Sequence, residues 1–522
     1  MKKITKIMFA MLLCFCIIFA FVACKDPNSQ ETEIPGEEQE QQDDNNQSKD
    51  DLISAYQNYK DEEVEYSLYF KTDGNGKITS LSDYAIENKE NIIQLEIPEK
   101  IGDEEINAFS LNLCDLPYLR ILIIPDNVEL IEDSGYFPTF LVIYCEKKSK
   151  FEGWPDAWDE YLEYEDGIQH LAVIWDYKNN DVATDGKMYC KAQNGMIYAL
   201  KDNRAELVFS GLNDVENLEL QSSVKYKSNA YSLSGIFNFA FASADISEDQ
   251  WVQNNKNLKS VKLPSSMTSI GNYAFIYCQH LENVFIPESI TSISGAAFLG
   301  CISLTSIEIP SSVTSIDESA FSACGLTSIV IPRSVTSLGE RVFSECNSLE
   351  SIKVDVNNKT YKSEGNCIIE KATNELIVGC KNSVIPNYVT SISDYAFYYC
   401  KSLTSIEIPS NVTSIGRYAF SGCNNLTSAT VPTIALSYLP KNKLKTVRIN
   451  GGTHIDRKAF SYCSSLESVF IPKSVTSIDA FAFISCNNLK IYCEAESQPS
   501  GWDEDWNDEG FSVEWGYKAD RE

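Results

Sequence analysis

The chain has 522 residues, enough for more than one domain, and it carries 74 acidic and 43 basic residues for a formal net charge of −31. This charge makes it a poor candidate for binding nucleic acid or an anionic membrane surface, because both repel a polyanion. Only three histidines are present, His170, His280 and His454, so histidine-based chemistry has few starting points.

Residues 1–23 predict a lipoprotein signal peptide. Three lysines within the first six residues precede an apolar run that is short and lies at the extreme N-terminus, which favours a removed leader over a spanning helix. The run ends in FVAC, which resembles the bacterial lipobox, where the cysteine is lipidated and becomes the new N-terminus. We therefore expect lipid attachment at Cys24; the alternative is an ordinary leader followed by a chance cysteine.

Residues 24–51 predict a disordered acidic tether. The stretch EIPGEEQEQQDDNNQSKDD contains almost no side chain that can fill a core. We interpret it as a spacer that separates the following domain from the membrane.

Residues 52–178 predict a short, degenerate repeat module. It starts with a hairpin, YSLYFKTDGNGKITSL, whose DGNG segment is interpreted as the turn. A calcium loop is the alternative for DGNG, but its spacing supplies too few oxygen ligands. Two irregular repeats follow, around Leu95–Pro98 and Leu119–Ile131, and the second matches the frame of the later repeats.

Residues 181–522 predict the main module, with regular repeats over 258–489 and an insertion at 355–384. The segment MYCKAQNGMIYALK indicates another hairpin that turns at Asn194-Gly195, and a degenerate first coil follows it. Inside the insertion, CIIEKATNELIVGC predicts a hairpin that places Cys367 opposite Cys380.

A repeat with a nearly constant period dominates this module. Its leading leucines are Leu258, Leu281, Leu304, Leu326, Leu349, Leu403, Leu426, Leu444 and Leu466. The first five lie 22 or 23 residues apart. Such a period indicates stacked structural units, because one unit of this size cannot bury its own apolar side.

The Leu304 copy, LTSIEIPSSVTSIDESAFSAC, shows what each unit is expected to form. Ile307 and Ile309 alternate around a polar residue, which predicts a strand that Pro310 ends. The segment Val313–Ile316 predicts a second short extended piece. The following spacing of alanine, phenylalanine and cysteine predicts one helical turn that presses a single face inward.

This pattern resembles the BspA-type leucine-rich repeat family, whose unit is L-x-x-I-x-I-P-x-x-V-x-x-I-x-x-x-A-F-x-x-C. In the copy at Leu281 the pattern is carried by Leu281, Val284, Ile286, Pro287, Ile290, Ile293, Ala297, Phe298 and Cys301. The resemblance implies a β-rich solenoid with a strand and a short helical turn in each coil of about 23 residues. Departures at Asn450 (for proline), at Val342 (for alanine) and in the second half of the Leu426 copy predict bulges or disturbed coils.

Two tryptophan-rich segments are copies of each other. LVIYCEKKSKFEGWPDAWDEY and LKIYCEAESQPSGWDEDWNDE share the spacing from their cysteine to both tryptophans. A repeat stack needs a cap over its last apolar face, so we predict two arrays, each closed by its own cap, the second at 489–518. The cap residues are Trp154, Trp158, Trp502 and Trp506. Sugar-stacking aromatics are the alternative.

Eight cysteines share one repeat position. They are Cys278, Cys301, Cys324, Cys346, Cys400, Cys423, Cys463 and Cys486. Recurrence in every coil predicts a buried column of free thiols rather than disulfides. A bridge between Cys367 and Cys380 stays open as an alternative.

The residue between the two inward aliphatics of each strand should point outward. In order along the array it is Lys262, Phe285, Glu308, Val330, Lys353, Glu407, Thr430, Arg448 and Phe470. Solenoids bind partners on such a continuous face, so these are candidate contacts. Phe285, Val330 and Phe470 are apolar where solvent is expected, although scattered exposed apolar residues are also ordinary.

No G-x-S-x-G, HExxH, Walker or GxGxxG motif is present, so we predict no catalysis, no cofactor and no metal site. The leader and Cys24 predict an exported, lipid-anchored protein, which we expect to be exposed on the outer membrane. The resemblance to BspA-type proteins implies an adhesin-like protein that binds host or bacterial surface proteins or glycans. The alternative is a non-adhesive envelope component with a structural or immune-evasion role. An enzyme with an unrecognised acidic site is a more distant alternative.

Overall fold

The structure, a computed structural model, belongs to a chain whose residues 64–522 form one unit. It describes residues 66–518 except 88, 90–91, 93, 117–118, 133–139, 150–153, 155–169, 181, 184–185, 193–195, 211–214, 243–254 and 256. The predicted signal peptide at 1–23, the tether at 24–51 and the lipid site at Cys24 lie outside the described residues. So do Trp158 and the Asn194-Gly195 turn.

The described chain begins with the predicted hairpin. Strand β1 (Phe70–Thr72) pairs in antiparallel fashion with β2 (Lys77–Leu81). A carboxylate oxygen of Asp73 closes the turn by accepting hydrogen bonds from the N–H groups of Asn75 and Lys77. The DGNG segment is therefore confirmed as a turn, since its aspartate is used to hold the backbone.

Parallel strands follow the hairpin. They are β3 (Gln94–Glu96), β6 (Ala108–Phe109), β7 (Ile121–Ile124), β8 (Leu130–Ile131), β9 (Phe140–Cys145) and β10 (His170–Trp175). Between them lie α1 (Asp83–Glu87), the ribbon β4 (Lys100–Ile101) and β5 (Glu104–Glu105), and 3-10 turns at Tyr66–Tyr69 and Leu113–Asp115. One sheet has the order β1-β2-β6-β8, and the other, here called the N-terminal sheet, has the order β10-β9-β7-β3.

A second antiparallel segment opens the main repeats. It contains β11 (Met188–Lys191), β12 (Ile197–Lys201), β13 (Arg204–Phe209), β14 (Asn217–Glu219), β15 (Ser223–Tyr226) and β16 (Asn229–Ile236). Pairing of β11 with β12 confirms the expected hairpin. Strands β11 to β13 are called the hairpin sheet below. Because β16 pairs in parallel with both β13 and the first short strand of the solenoid, this sheet continues into the repeats.

The N-terminal sheet packs face to face on the hairpin sheet. The side chains of Ile121, Val142 and Ile174 belong to one buried cluster with Tyr189 and Phe209. A hydroxyl-to-carbonyl hydrogen bond of 2.7 Å from Tyr144 to Tyr189 also crosses this junction. The outer face of the N-terminal sheet is therefore covered by the chain itself.

Two kinds of strand recur in the coils. The first kind carries the alternating aliphatic residues and comprises β17 (Ser260–Lys262), β19 (Asn283–Phe285), β22 (Ser328–Ile331), β24 (Ser351–Val354), β29 (Ser405–Glu407), β31 (Ser428–Pro432), β32 (Thr446–Gly451), β34 (Ser468–Ile471), β36 (Lys490–Cys493) and β38 (Ser512–Trp515). The second kind is shorter and comprises β18 (Ser269–Ile270), β20 (Ser292–Ile293), β21 (Ser315–Ile316), β23 (Ser337–Leu338), β28 (Ser391–Ile392), β30 (Ser414–Ile415), β33 (His454–Ile455), β35 (Ser477–Ile478) and β37 (Gly501–Trp502). Equivalent strands of neighbouring coils pair in parallel, for example Val261 with Val284. These ladders confirm a leucine-rich-repeat solenoid.

Phenylalanines from successive coils stack in the interior. The rings of Phe241, Phe275, Phe298, Phe321 and Phe343 lie 4.6, 5.2, 5.4 and 5.8 Å apart and are almost parallel. The leading leucines and most aliphatic residues of these coils are buried beside them. Since Phe275, Phe298 and Phe321 each contact a ring of the coil before and of the coil after, the core extends along the stack.

The predicted helical turn is wrong: between residues 258 and 493, all of which the structure describes, the Ala-Phe segment is a series of turns. The coil that starts at Leu426 lacks this segment and has a 3-10 helix at Thr433–Tyr438 instead. The N–H groups of Ser319 and Phe321 donate to carbonyl oxygens of the next coil at 2.9 and 3.0 Å, whereas that of Ala320 donates three residues back. Ser319 has a φ of 56°, which a right-handed helix does not contain. In this segment alternate N–H groups therefore join the next coil instead of following the i to i−4 pattern of an α-helix.

Two places interrupt the ladders. The Leu304 copy has no strand at 307–309, and it is one residue shorter than the coils beside it. At its end the N–H of Gly325 donates to the carbonyl of Cys301 in the preceding coil. The insertion forms three antiparallel strands, β25 (Tyr361–Glu364), β26 (Cys367–Glu370) and β27 (Glu375–Val378). Strand β27 then pairs with β28, which restarts the solenoid.

Candidate functional site

The outward-facing residues of the first strand form a row that is here called the outer column. Strand register places Lys262 beside Phe285, Val330 beside Lys353, and Glu407, Thr430, Arg448 and Phe470 in succession. The irregular Leu304 coil and the insertion divide the row into three segments. Glu308 stands between the first two segments and is exposed.

The N-terminal half of the outer column carries exposed apolar side chains. Phe285 is 60% exposed and Val330 is 56% exposed. Beside them Lys262 forms an ion pair of 2.7 Å with Glu219, which continues the column one coil earlier. Apolar groups among charged ones on an open strand face are suited to contact another molecule.

Phe470 does not face solvent as freely as the sequence suggests. Its ring stacks on Tyr492 at 4.7 Å and also contacts Tyr517 at 5.2 Å. The Arg448 guanidinium carbon lies 3.8 Å from the centre of the same ring, within cation–π range. These four residues form what we call the aromatic cluster, at the C-terminal end of the outer column.

Sequence reasoning did not find the two tyrosines of this cluster. Tyr492 follows Ile491 in LKIYC, so it occupies the outward position of a further coil, and register with Phe470 confirms this. The sequence indicated this position, because Leu489 and Ile491 have the spacing of the leading leucine and the first inward aliphatic residue of a coil. It was missed because the segment was interpreted only as a cap.

The tryptophans of the final segment are buried against the end of the solenoid. Trp506 meets Phe483, whose ring stacks on Phe460 of the preceding coil, edge-on at 6.0 Å, and it contacts Trp502 at 4.6 Å. The indole N–H of Trp502 donates to the carbonyl of Val475 at 3.2 Å. Trp154 is likewise buried and lies 5.4 Å from Trp175.

The repeated cysteines are confirmed as buried free thiols. Several of them, such as Cys301 and Cys324, donate to the carbonyl of a phenylalanine in a neighbouring coil, at 3.2 and 3.1 Å. Burial raises the pKa of Cys346 to about 12 and that of Cys463 to about 11. Neutral thiols of this kind are poor nucleophiles. Cys367 and Cys380 are also buried and unbridged.

One cavity lies where the insertion separates two coils. Its volume is about 70 Å³, and Phe343, Gly379 and Phe397 are among its walls. Glu345, at its edge, pairs with Lys401 at 3.5 Å, and burial raises the pKa of this carboxyl. Sites for small-molecule ligands usually measure about 300–1,000 Å³, so this cavity is too small for one.

A family model described as BspA type leucine rich repeat region matches residues 202–301, 268–377 and 368–490, more than half of the chain. The chain belongs to this family. Leucine-rich repeat proteins of the BspA type are typically non-catalytic binding proteins, in agreement with the closed interior described above. Within the described residues, no helix has the length and apolarity needed to cross a membrane.

Solved structures of bacterial repeat proteins are similar to this BspA-type chain. A leucine rich cell surface protein from Faecalibacterium prausnitzii A2-165 is 27% identical over 61% of this chain and 97% of its own, with a TM-score of 0.39. A leucine-rich repeat protein from Bacteroides ovatus ATCC 8483 is 21% identical (61% and 98%, TM-score 0.40), and the pneumococcal vaccine antigen PcpA is 16% identical (63% and 98%, TM-score 0.43). No curated protein matches the chain.

Proposed function

We propose that this protein is a lipid-anchored bacterial surface protein that binds proteins or glycans of a host or of other bacteria through its outer column. The observation that carries this proposal is the exposure of Phe285 and Val330 on a strand face that the chain leaves open. In this proposal the leader directs export, and the lipid at Cys24 attaches the chain to the outer membrane. The acidic tether separates the repeats from that membrane.

The contrast between the two strand faces supports a binding role. On the N-terminal sheet the outward residues Ile121, Val142 and Ile174 are apolar, and the hairpin sheet covers them. On the outer column apolar residues alternate with charged ones such as Lys262 and Lys353, and no described part of the chain covers Phe285. A face that mixes apolar and charged groups suits a separate, soluble partner.

The aromatic cluster supplies a second contact area of different chemistry. Flat rings stacked beneath a guanidinium suit the planar and polar surfaces of peptides and sugars. Arg448, Phe470 and Tyr492 are half-buried and fixed by one another, so binding would order few additional side chains.

The arrangement as two capped arrays belongs to the same proposal. Trp506 lies against Phe483, the buried phenylalanine of the last coil, which is where a cap is expected. Trp154 and Trp175 pack together at the end of the N-terminal sheet in a matching manner. Both ends would then be protected from pairing with other chains.

Two measurements test the proposal. Protease treatment of intact cells should release fragments of the chain if it is exposed outside; protection until the envelope is opened would instead favour the internal envelope role. Binding of the chain without its leader to an array of extracellular matrix proteins and glycans should then fall at least tenfold in the double variant Phe285→Ser/Val330→Ser.

A matched control uses apolar residues that are equally exposed but outside the outer column. Val356 and Val384 are 88% and 70% exposed, so Val356→Ser/Val384→Ser should bind as the wild type does. Equal loss in both double variants, or none in either, would remove the outer column from the proposal. Arg448→Ala/Tyr492→Ala tests the aromatic cluster in the same assay.

A further inference from the structure

One coil replaces a ladder serine by histidine. In the second short strand the residue before the inner aliphatic is serine in most coils. These serines are Ser269, Ser292, Ser315, Ser337, Ser391, Ser414 and Ser477. The coil of β33 has His454 instead. Packing does not require this change, because the inner neighbour Ile455 is fully buried like its counterparts.

Register brings His454 next to two carboxylates. Because β33 pairs in parallel with β35, His454 lies beside Ser477, and Asp456 lies beside Asp479 of the next coil. The histidine Nε2 is 3.3 Å from Asp456 Oδ1 and 3.5 Å from Asp479 Oδ2. Its Nδ1 is 2.8 Å from the Ser477 hydroxyl. One nitrogen and two oxygens therefore converge on one point between two coils.

We propose that His454, Asp456 and Asp479 form a binding site for a divalent transition-metal ion, with Zn²⁺ as the ion to test. Zinc binds imidazole nitrogen and carboxylate oxygen at about 2.0–2.2 Å, so donor atoms around a tetrahedral zinc lie about 3.3–3.5 Å apart. The two measured distances from Nε2 fall at this spacing. Water would complete the coordination on the exposed side.

The hydrogen bonds around the imidazole are compatible with the tautomer that a metal ligand requires. The Ser477 hydroxyl donates to the carbonyl of Thr453 at 3.4 Å, so its oxygen is available to accept a hydrogen on Nδ1. In that tautomer the lone pair of Nε2 faces two carboxylates, which can donate nothing in return. A cation between the three atoms removes the repulsion, and a partner on the second ring nitrogen is the usual support of a metal-bound histidine.

The surrounding charges also favour a cation. Register places Asp503 one coil beyond Asp479, and its carboxylate accepts the N–H of Asp505. Arg457, which follows Asp456, has its guanidinium 5.2 Å from the Phe481 ring, and its backbone N–H donates to Asp479 at 3.2 Å. A mixed nitrogen and oxygen donor set favours zinc over magnesium or calcium, which prefer oxygen alone.

Isothermal titration of the tag-free chain, without its leader, with zinc chloride tests the site. We expect one ion per chain. His454→Ser restores the residue of the neighbouring coils, so it should fold normally. The single variants His454→Ser and Asp479→Asn should each weaken zinc binding more than tenfold. Ser477→Ala should weaken binding about 10–100-fold, as removal of an outer-shell partner does. Asp317→Asn changes the matching position in a coil without histidine and should bind as wild type.

Cobalt(II) substitution gives a second measurement. Visible absorption of tetrahedral Co²⁺ should appear in the wild type and disappear in His454→Ser. Absence of zinc binding would overturn the proposal and leave His454 as a partly exposed side chain in polar contact with two carboxylates. Zinc binding that persists unchanged in His454→Ser would also overturn it, as would equal loss in Asp317→Asn, because either result would place the ion elsewhere.

Discussion

Replacement of one phenylalanine of the interior stack tests whether the stack holds the coils together. Phe298 is fully buried, and its ring lies 5.2 Å from Phe275 and 5.4 Å from Phe321. A Phe→Ala change in a packed core costs about 3–5 kcal/mol. Phe298→Ala also removes two aromatic pairs, each worth about 0.5–1.5 kcal/mol beyond area burial. We therefore expect a loss in the upper half of that range, about 4–5 kcal/mol.

The assay must report locally, because a solenoid need not unfold in one step. Native-state hydrogen exchange suits this purpose, since the N–H of Phe298 bonds to the carbonyl of Ala320 in the next coil at 2.9 Å. Phe298→Ala should accelerate exchange at this amide and in the coils on both sides. The change should fade towards the distant end of the array.

The control is another phenylalanine of the same coil, Phe285, which is 60% exposed on the outer column. Phe285→Ala should change the free energy of local opening by less than about 0.5 kcal/mol, as surface substitutions usually do. Equal effects of Phe285→Ala and Phe298→Ala would refute the view that the stack carries the stability. So would an effect of Phe298→Ala that stops at its own coil.

Two further predictions concern buried groups. Burial raises the pKa of Cys463 to about 11 and of Cys346 to about 12, so at pH 8 about one such thiol in a thousand or fewer is ionised. A thiol reagent should therefore label these cysteines only in denaturant. Rapid labelling of the folded chain would contradict this prediction. Because these thiols keep their proton longer when folded, their contribution to stability is complete below about pH 8.5 and lost as the pH rises towards 11–12. Gly379→Ala should lower the free energy of unfolding by about 1–3 kcal/mol, because the added carbon would lie 2.1 Å from a Phe397 ring atom. Thermal unfolding of this variant checks the prediction. The control variant is Gly295→Ala, where the atom nearest to the added carbon is 3.4 Å away.

The sequence was sufficient to predict the solenoid and its interior. Positions such as Leu281, Val284 and Phe298 recur at the coil period, and recurrence of apolar side chains allows little except stacking. The hairpin at β1 and β2 was also predictable, because aspartate and glycine fix that turn locally. These features depend on residues that are close in sequence or repeated in every coil.

Features that depend on contacts between coils were not predictable. The Ala-Phe segment has apolar spacing that fits a helix, yet its N–H groups are needed to join the next coil. His454 and Asp479 look unrelated in the sequence and meet only through the register of β33 with β35. The pattern of apolar residues in the sequence does not show which backbone hydrogen bonds form within a coil and which form between coils.

The covered face of the N-terminal sheet had a signal that was not used. In Ile121–Ile124 every residue is apolar, whereas a strand with one solvent face should alternate. The residues expected to face inward, Leu122 and Ile124, are buried, and so is Ile121 on the opposite side. A continuous apolar run within an alternating repeat therefore indicates a strand that is covered on both faces.

The coil that starts at Leu444 shows how departures from the repeat are distributed. Its interior positions Val447 and Ile455 are buried as in regular coils. Asn450 replaces the usual proline, and its side-chain amide donates to the carbonyl of Ile408 at 2.8 Å, next to the bulge between β31 and β32. His454 replaces a serine on the surface. Both changes spare the core and add polar contacts between coils, so packing does not require them, and the proposed metal site would account for His454.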